Sequence, residues 1–355
     1  MTEPAAKATI RSVAALAGVS VAAVSRFVNQ KQRFTPEVEA RMASAIAQLG
    51  YRGNPAARSV ATGRSGAVAA LVAGVDNPHT AALVKGLCRV AMAQGYGVLF
   101  VDTLHSQSIQ AELDRVLGLQ VDGLVIAAAL PEGSSEMLAR YGRPLVDLAR
   151  WPEAAANTPP GESPATPTHT PPPPPTPTPQ PGTQHAAGAL LGRYLVRSGH
   201  RHISFIACAA EASSAERLRG LRDALAAAGL PLAAHHASAA TALGGADIAS
   251  AVLLAPQRPD AVVACNDQVA MGLLSEARRL GVSVPGEVSV AGIENAPFAR
   301  YLSPALTSVE LHADELGARA MARLLAAVRG ESEPAGAPLP EPRLVVRDST
   351  QPRMG

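Results

Sequence analysis

Aromatic side chains are scarce in this sequence. Among 355 residues there are five Phe, five Tyr and one Trp. The core must be built from Ala, Val and Leu, and an apolar content of 47% with a mean hydropathy of +0.11 provides enough of them. Cysteine is scarcer still. Cys88, Cys208 and Cys265 are odd in number, far apart and in no C-x-x-C pair. That usage fits a reduced, cytoplasmic protein with neither structural zinc nor disulfides. Long apolar runs are missing as well. None approaches the ~18 residues of a membrane span, and Met1 to Lys7 lacks the apolar stretch of a secretory signal. Catalytic signatures are absent: there is no G-x-S-x-G, no H-E-x-x-H, no phosphate loop, and no G-x-G-x-x-G after the first strand. His200-Arg201-His202 and His235-His236 lack a spaced third ligand, and Cys265 has no suggested His and acid partner. These absences point away from an enzyme and from any bound metal or cofactor.

Proline, by contrast, is abundant in one place. Thirteen of the 30 prolines fall within residues 152–181, five of them consecutive at 171–175. Such a run supplies neither helix hydrogen bonds nor central sheet ladders and favours extended polyproline II, so it separates folded parts. Charge is also uneven. Residues 1–64 carry nine Lys/Arg and three acids, a net +6, whereas the rest of the chain sums to −4. A small basic head on a mildly acidic body suggests a nucleic-acid module joined to something else.

Within the head, Thr9 can cap a helix at 10–16, Gly18 breaks it, and Ser20 caps a second helix at 21–29. Two short helices joined by a glycine turn read as helix-turn-helix. Thr35 and Pro36 start a third, with Val38, Met42, Ile46 and Leu49 as its buried stripe. Val21, Ala22, Ser25, Arg26 and Asn29 are left on the outer face of the second helix. A recognition helix places such residues in the major groove, where Arg reads guanine and Ser or Asn reach phosphates. A plain three-helix bundle with a solvated basic surface is the alternative.

From Ala67 the pattern alternates strand and helix. Strands are expected at 67–75, 97–103, 123–129 and 144–150, with helices at 79–94, 106–119 and 133–141. After the proline tract come helices 186–198, 213–228, 267–280 and 312–329 and strands 203–208, 261–265, 288–293, 306–311 and 344–346. This describes two parallel, doubly wound α/β halves with a cleft between them, where ligands sit at the carboxyl ends of strands. Those ends carry Asp76-Asn77-Pro78-His79, Asn266-Asp267 and Glu294-Asn295, and Arg217 opens a further segment. Convergent carboxylates, amides and an Arg suit a hydroxyl-rich small ligand. Helix capping by Asp76, Asn266 and Asp267 is the competing use.

Residues 17–29, AGVSVAAVSRFVN, resemble the AGVSxxTVSRVLN signature of the LacI/GalR transcriptional regulators. Residues 51–60, YRGNPAARSV, resemble that family's YxPNxxARxL hinge. Further on, 261–267, 284–292 and 302–307 are similar to its AVFCANDxxA, VPEDVSVVG and LSPPLT segments. The resemblance implies an N-terminal all-α helix-turn-helix headpiece plus an α/β two-lobed periplasmic-binding-protein-like domain with parallel, doubly wound sheets. The headpiece would span 1–53, a hinge helix and linker 54–64, and the first lobe 65–151 with 296–329 returning to it. The Pro-rich insertion would take 152–182, and the second lobe 183–295 with 330–355. By the same resemblance Ser20, Val21, Ala22 and Arg26 meet bases, and Thr9, Ser25, Asn29 and Tyr51 meet phosphates. Asn54, Arg58 and Val60 belong to the hinge helix, with Val60 wedged into the minor groove. Asp76, His79, Arg217, Asn266, Asp267 and Glu294 would line an effector cleft.

Several positions depart from the family pattern. Ala23 replaces Thr, Val60 replaces Leu, Glu294-Asn295 replaces Asp-Asp, and His79-Thr80 replaces an aromatic pair. The proline tract stands where the family has a VxxDN strand and its first crossover. The implied function is a cytoplasmic homodimeric repressor on pseudo-palindromic operator DNA, tuned by a small, sugar-like effector. No leucine heptad follows Val346, so a dimer is expected rather than a tetramer. The alternatives are a regulator that has lost effector response and a sugar-binding transport protein, which would carry a signal peptide and no helix-turn-helix.

Overall fold

The structure is a computed structural model that describes residues 8–28, 32–51, 63–104, 106, 108–128, 130, 134–148, 182–208, 212–332 and 340–353. Asn29, the 54–62 hinge segment and the proline tract at 152–181 lie outside these residues.

The head folds as three helices, α1 (Ile10–Ala17), α2 (Val21–Val28) and α3 (Pro36–Leu49). Thr9 Oγ1 accepts the Ser12 N–H at 3.2 Å while Ser12 Oγ accepts the Thr9 N–H at 2.9 Å, a reciprocal cap on α1. Gly18, at φ 65°, then lets the chain turn so that α1 and α2 meet at 107°. Val13, Ala14, Ala17, Val24, Met42 and Ala45 fill the small core. Leu49, expected on the buried stripe, is 36% exposed; Ala45, Ile46 and Tyr51 pack against the core there instead.

The body consists of two sheets. Strands β1 (Ala67–Val72), β2 (Gly97–Asp102), β3 (Leu124–Ala127) and β4 (Leu145–Asp147) are all parallel, in the order β2-β1-β3-β4. Helices α4 (Pro78–Ala93), α5 (Ile109–Gly118) and α6 (Ser134–Tyr141) connect them. The second lobe begins with α7 (Thr183–Arg197), β5 (Ile203–Cys208), α8 (Ala212–Ala226), β6 (Ala234–Ser238) and α9 (Ala242–Leu253). It continues through β7 (Ala261–Ala264), α10 (Asp267–Arg279), β8 (Ser289–Glu294) and β9 (Thr307–Glu310). After α11 (Ala313–Arg329), β10 (Arg343–Val345) adds antiparallel to β9, giving the order β10-β9-β8-β7-β5-β6. The central strands read as unbroken apolar runs because helices cover both faces of a parallel sheet. β6 and α9 escaped the sequence pattern. β6 is an edge strand reading AHHAS, and α9 carries Gly244 and Gly245 in its first turn.

One boundary shifts. Of residues 296–329, expected to return to the first lobe, Thr307–Glu310 pairs within the second sheet, and only α11 crosses back. There Ala320, Met321, Leu324 and Leu325 share a core with Leu83, Leu87 and Ala91 of α4. The two helices touch backbone to backbone: a Cβ at Gly86 would overlap the Asp314 carbonyl, and one at Gly317 the Leu83 carbonyl. Gly86→Ala must force them apart, at a cost of about 1–3 kcal/mol. Urea unfolding of the variant should show a lower midpoint, and an unchanged midpoint would contradict this packing.

The expectation of unpaired cysteines is also corrected. Cys208 and Cys265 are 57 residues apart in sequence, yet β5 and β7 are neighbours in the sheet. Their Cα atoms are 6.4 Å apart and the sulfurs are bonded, while Cys88 is free.

Candidate functional site

On α2, Val21, Ala22 and Arg26 face outward. Val24 is buried, Val21 is 43% exposed, Ala22 and Arg26 are exposed and Ser25 is half-buried. Ser20 Oγ accepts the Ala23 N–H at 3.1 Å and so starts the helix. Arg26 Nη1 donates to Gln32 Oε1 at 3.1 Å, which holds the guanidinium at the end of α2. Thr9 sits at the α1 N-terminus, where N–H groups attract anions. Tyr51 packs partly against the headpiece core, with its N–H bonded to Ile46 O at 3.0 Å. Asn29, Asn54, Arg58 and Val60 fall outside the described residues.

In the body, Arg217 is 1% exposed. Its Nε donates to Gln184 Oε1 at 2.7 Å and its Nη1 to the Cys265 carbonyl, while Nη1 and Nη2 both reach Glu294 Oε1 at 3.2 Å. A guanidinium this deep requires such partners. Burial pushes the Glu294 carboxyl up, and Arg217 and the Asn77 amide pull it back. Glu294 ends β8 at φ 113° and Asn295 follows at φ 49°. Non-glycine residues adopt such left-handed angles at a cost of ~1–3 kcal/mol, and they concentrate at functional sites. Glu294 Oε2 is buried without a hydrogen-bond partner, and so is His79 Nδ1. Burial, reinforced by Arg217, lowers the His79 pKa to about 3, so its ring is neutral.

The strand ends of the two lobes therefore meet. His79 and Glu294 line a cavity of about 620 Å³ together with Pro78, Asn295, His312 and Arg319. Asn77 was not singled out in the sequence. It caps α4 by accepting the His79 N–H at 2.7 Å and the Thr80 N–H at 3.4 Å, and it stands beside Glu294. Gln268 Nε2 donates to the Asp76 carbonyl at 3.4 Å, a second link between the lobes.

The other expected cleft residues are engaged by the chain itself. Asn266 caps α10 by accepting the Val269 N–H at 2.9 Å and donates to the Ala240 carbonyl at 3.3 Å. Asp267, fully buried, accepts from Ala296 N–H and from Ser308 Oγ, each at 2.6 Å. It thus braces the segment that follows Glu294. The Asp76 side chain is exposed, and Asn77 rather than Asp76 caps the helix that follows. Among the residues sequence reasoning missed, Gln184 and Arg347 (Nη2 to Asn295 Oδ1, 2.7 Å) belong to no motif. Asn77 lies within the Asp-Asn-Pro-His quartet and was findable.

Burial pushes the Asp267 carboxyl up to about 7; the Glu294 charge adds to this, while its bonds to Ser308 and Ala296 oppose it. A carboxyl that holds its proton more tightly when folded stabilises the fold at low pH, and this contribution is lost as pH rises toward 7. Urea midpoints of the wild type should fall between about pH 5 and about pH 7.5 by more than those of Asp267→Asn. Parallel profiles would remove Asp267 as the cause.

Comparison with known proteins bears on both surfaces. Residues 9–54 match the family described as bacterial regulatory proteins, lacI family, and residues 193–350 match the periplasmic binding protein-like domain. The chain thus carries a lacI-family helix-turn-helix region and a periplasmic binding protein-like domain. It is 27% identical over 353 residues to the HTH-type transcriptional repressor PurR of Pasteurella multocida, covering 98% of this chain and all of that protein. It is 28% identical to CytR of Escherichia coli, another HTH-type transcriptional repressor, covering 97% of this chain and 96% of that one. The fold is similar to that of a solved structure described as the lac repressor dimer bound to operator and the anti-inducer ONPF (TM-score 0.80, 21% identity, 97% and 99% coverage). A complex of the transcriptional regulator CelR with cellobiose is similar at 26% identity and TM-score 0.64, covering 96% and 99%. The repressors it resembles along nearly their whole length account for a helix-turn-helix head and a two-lobed body in one chain.

Proposed function

We propose that this chain is a homodimeric transcriptional repressor that binds a pseudo-palindromic operator and is tuned by a small, sugar-like molecule between its lobes. The observation that carries this reading is the meeting of Arg217, Glu294 and His79 between two lobes on a chain that begins with a helix-turn-helix. One headpiece per half-site would place Ser20, Val21, Ala22 and Arg26 against bases and Thr9, Ser25, Asn29 and Tyr51 against phosphates. Asn54, Arg58 and Val60 would form the hinge helix in the minor groove. A ligand hydroxyl would donate to the open Glu294 Oε2 and meet the neutral His79 ring. A ligand that binds one lobe arrangement better shifts the population toward it, and lobe rotation sets the spacing of the two hinges. Such a protein acts by binding rather than by turnover, alongside DNA in the cytoplasm.

A second reading has its own support. The lobes are already linked by the chain's own groups, Gln268 to Asp76 and Asn77 beside Glu294, as they would be in a regulator that needs no effector. Titrating sugars and nucleosides against operator binding, followed by fluorescence anisotropy, separates the two. A shift of about fivefold or more with one ligand supports the effector reading, and unchanged affinity with all of them supports the second.

A further inference from the structure

We propose that Cys208 and Cys265 form a redox-active dithiol at the floor of the cleft, one that takes a hydroperoxide as its oxidant and resets the cleft through Arg217. Their 6.4 Å Cα separation lies within the range a disulfide spans, and the strands that carry them are adjacent. Their position gives the bond a consequence. The Cys265 carbonyl accepts from Arg217 Nη1, and the Cys208 N–H donates to Ser214 Oγ at 2.9 Å, in the first turn of the helix that carries Arg217. Cys265 also lies two residues before Asp267, which braces the segment that follows Glu294. Closing the bond therefore pins both attachments of the residue that holds Glu294. Reduction leaves each strand end free to move alone.

The chemistry balances. One sulfur attacks the peroxide oxygen, breaking the O–O bond and giving a sulfenic acid and one water. The second sulfur then displaces the sulfenic oxygen as a second water. Two thiols lose two electrons and two protons, and the peroxide is reduced to two waters. Cys208 is 2% exposed and Cys265 fully buried, so the site admits only a reagent as small as hydrogen peroxide. A disulfide in a compartment that keeps thiols reduced is usually transient and sensing. The regulatory half of this proposal rests on the operator-binding reading above.

The test uses the full chain, reduced with dithiothreitol or treated with hydrogen peroxide, then unfolded, alkylated and weighed. Three labels are expected after reduction and one after peroxide, at Cys88. Operator affinity is expected to differ by about fivefold or more between the two states. That difference should vanish in Cys208→Ser and in Cys265→Ala, and persist in Cys88→Ser. Three labels after peroxide would overturn the dithiol, and equal operator affinity in both states would overturn its coupling to the cleft. Absence of operator binding in either state would refute the operator reading and the regulatory half with it, while the label count still decides the bond.

Discussion

Arg26→Ala is expected to weaken specific operator binding by about 5- to 150-fold, the ~1–3 kcal/mol that a bidentate contact to guanine contributes. The side chain is exposed at the end of α2 and steadied by Gln32, so its removal leaves the headpiece core untouched. Weak, salt-sensitive binding to any duplex should survive, because the other basic residues of the head would remain to neutralise phosphates. Quantitative footprinting across operator variants is the measurement. Loss of discrimination at one base pair, without loss of non-specific affinity, identifies Arg26 as a base reader. Unchanged footprints would remove α2 from the major groove.

The second large effect is on stability. Arg217→Ala strands the Glu294 carboxylate in a site where both side chains are almost fully covered, at 1% and 4% exposure. Removing one partner of a buried ion pair costs about 3–5 kcal/mol, because the remaining charge is desolvated and unmatched. Gln184 and the Cys265 carbonyl lose their donor as well. Chemical unfolding should show the loss near neutral pH. The loss should shrink as pH falls, since Glu294 can then take a proton. The double variant Arg217→Met/Glu294→Gln should recover much of it. A single-variant loss below about 1 kcal/mol would mean that water reaches the pair, as it does for exposed ion pairs.

Most of the architecture was legible in the sequence because parallel strands covered on both faces are continuous apolar runs, and Gly18 and Pro36 mark helix ends. What failed had specific physical reasons. β6 carries two histidines on an edge and has no apolar signature. Pairing of Cys208 with Cys265 depends on strand order, which spacing along the chain does not reveal. Among cleft residues, Arg217, His79 and Glu294 come together, but a strand-end Asp or Asn looks the same in sequence whether it faces a ligand or ties down a neighbouring segment. Asn266 caps its own helix, and Asp267 ties down the segment after Glu294 with both carboxyl oxygens.

The glycine contact between α4 and α11 has a mechanical consequence. Side chains are the compliant part of a helix interface, and here two carbonyls rest directly against glycine Cα atoms. The seam resists compression. α4 begins at the cleft, beside Glu294, and α11 begins just after β9 leaves the second sheet. A displacement of the β8 end therefore enters the first lobe at two points on one stiff plate. It would be passed to the helix pair as a unit rather than absorbed at their seam.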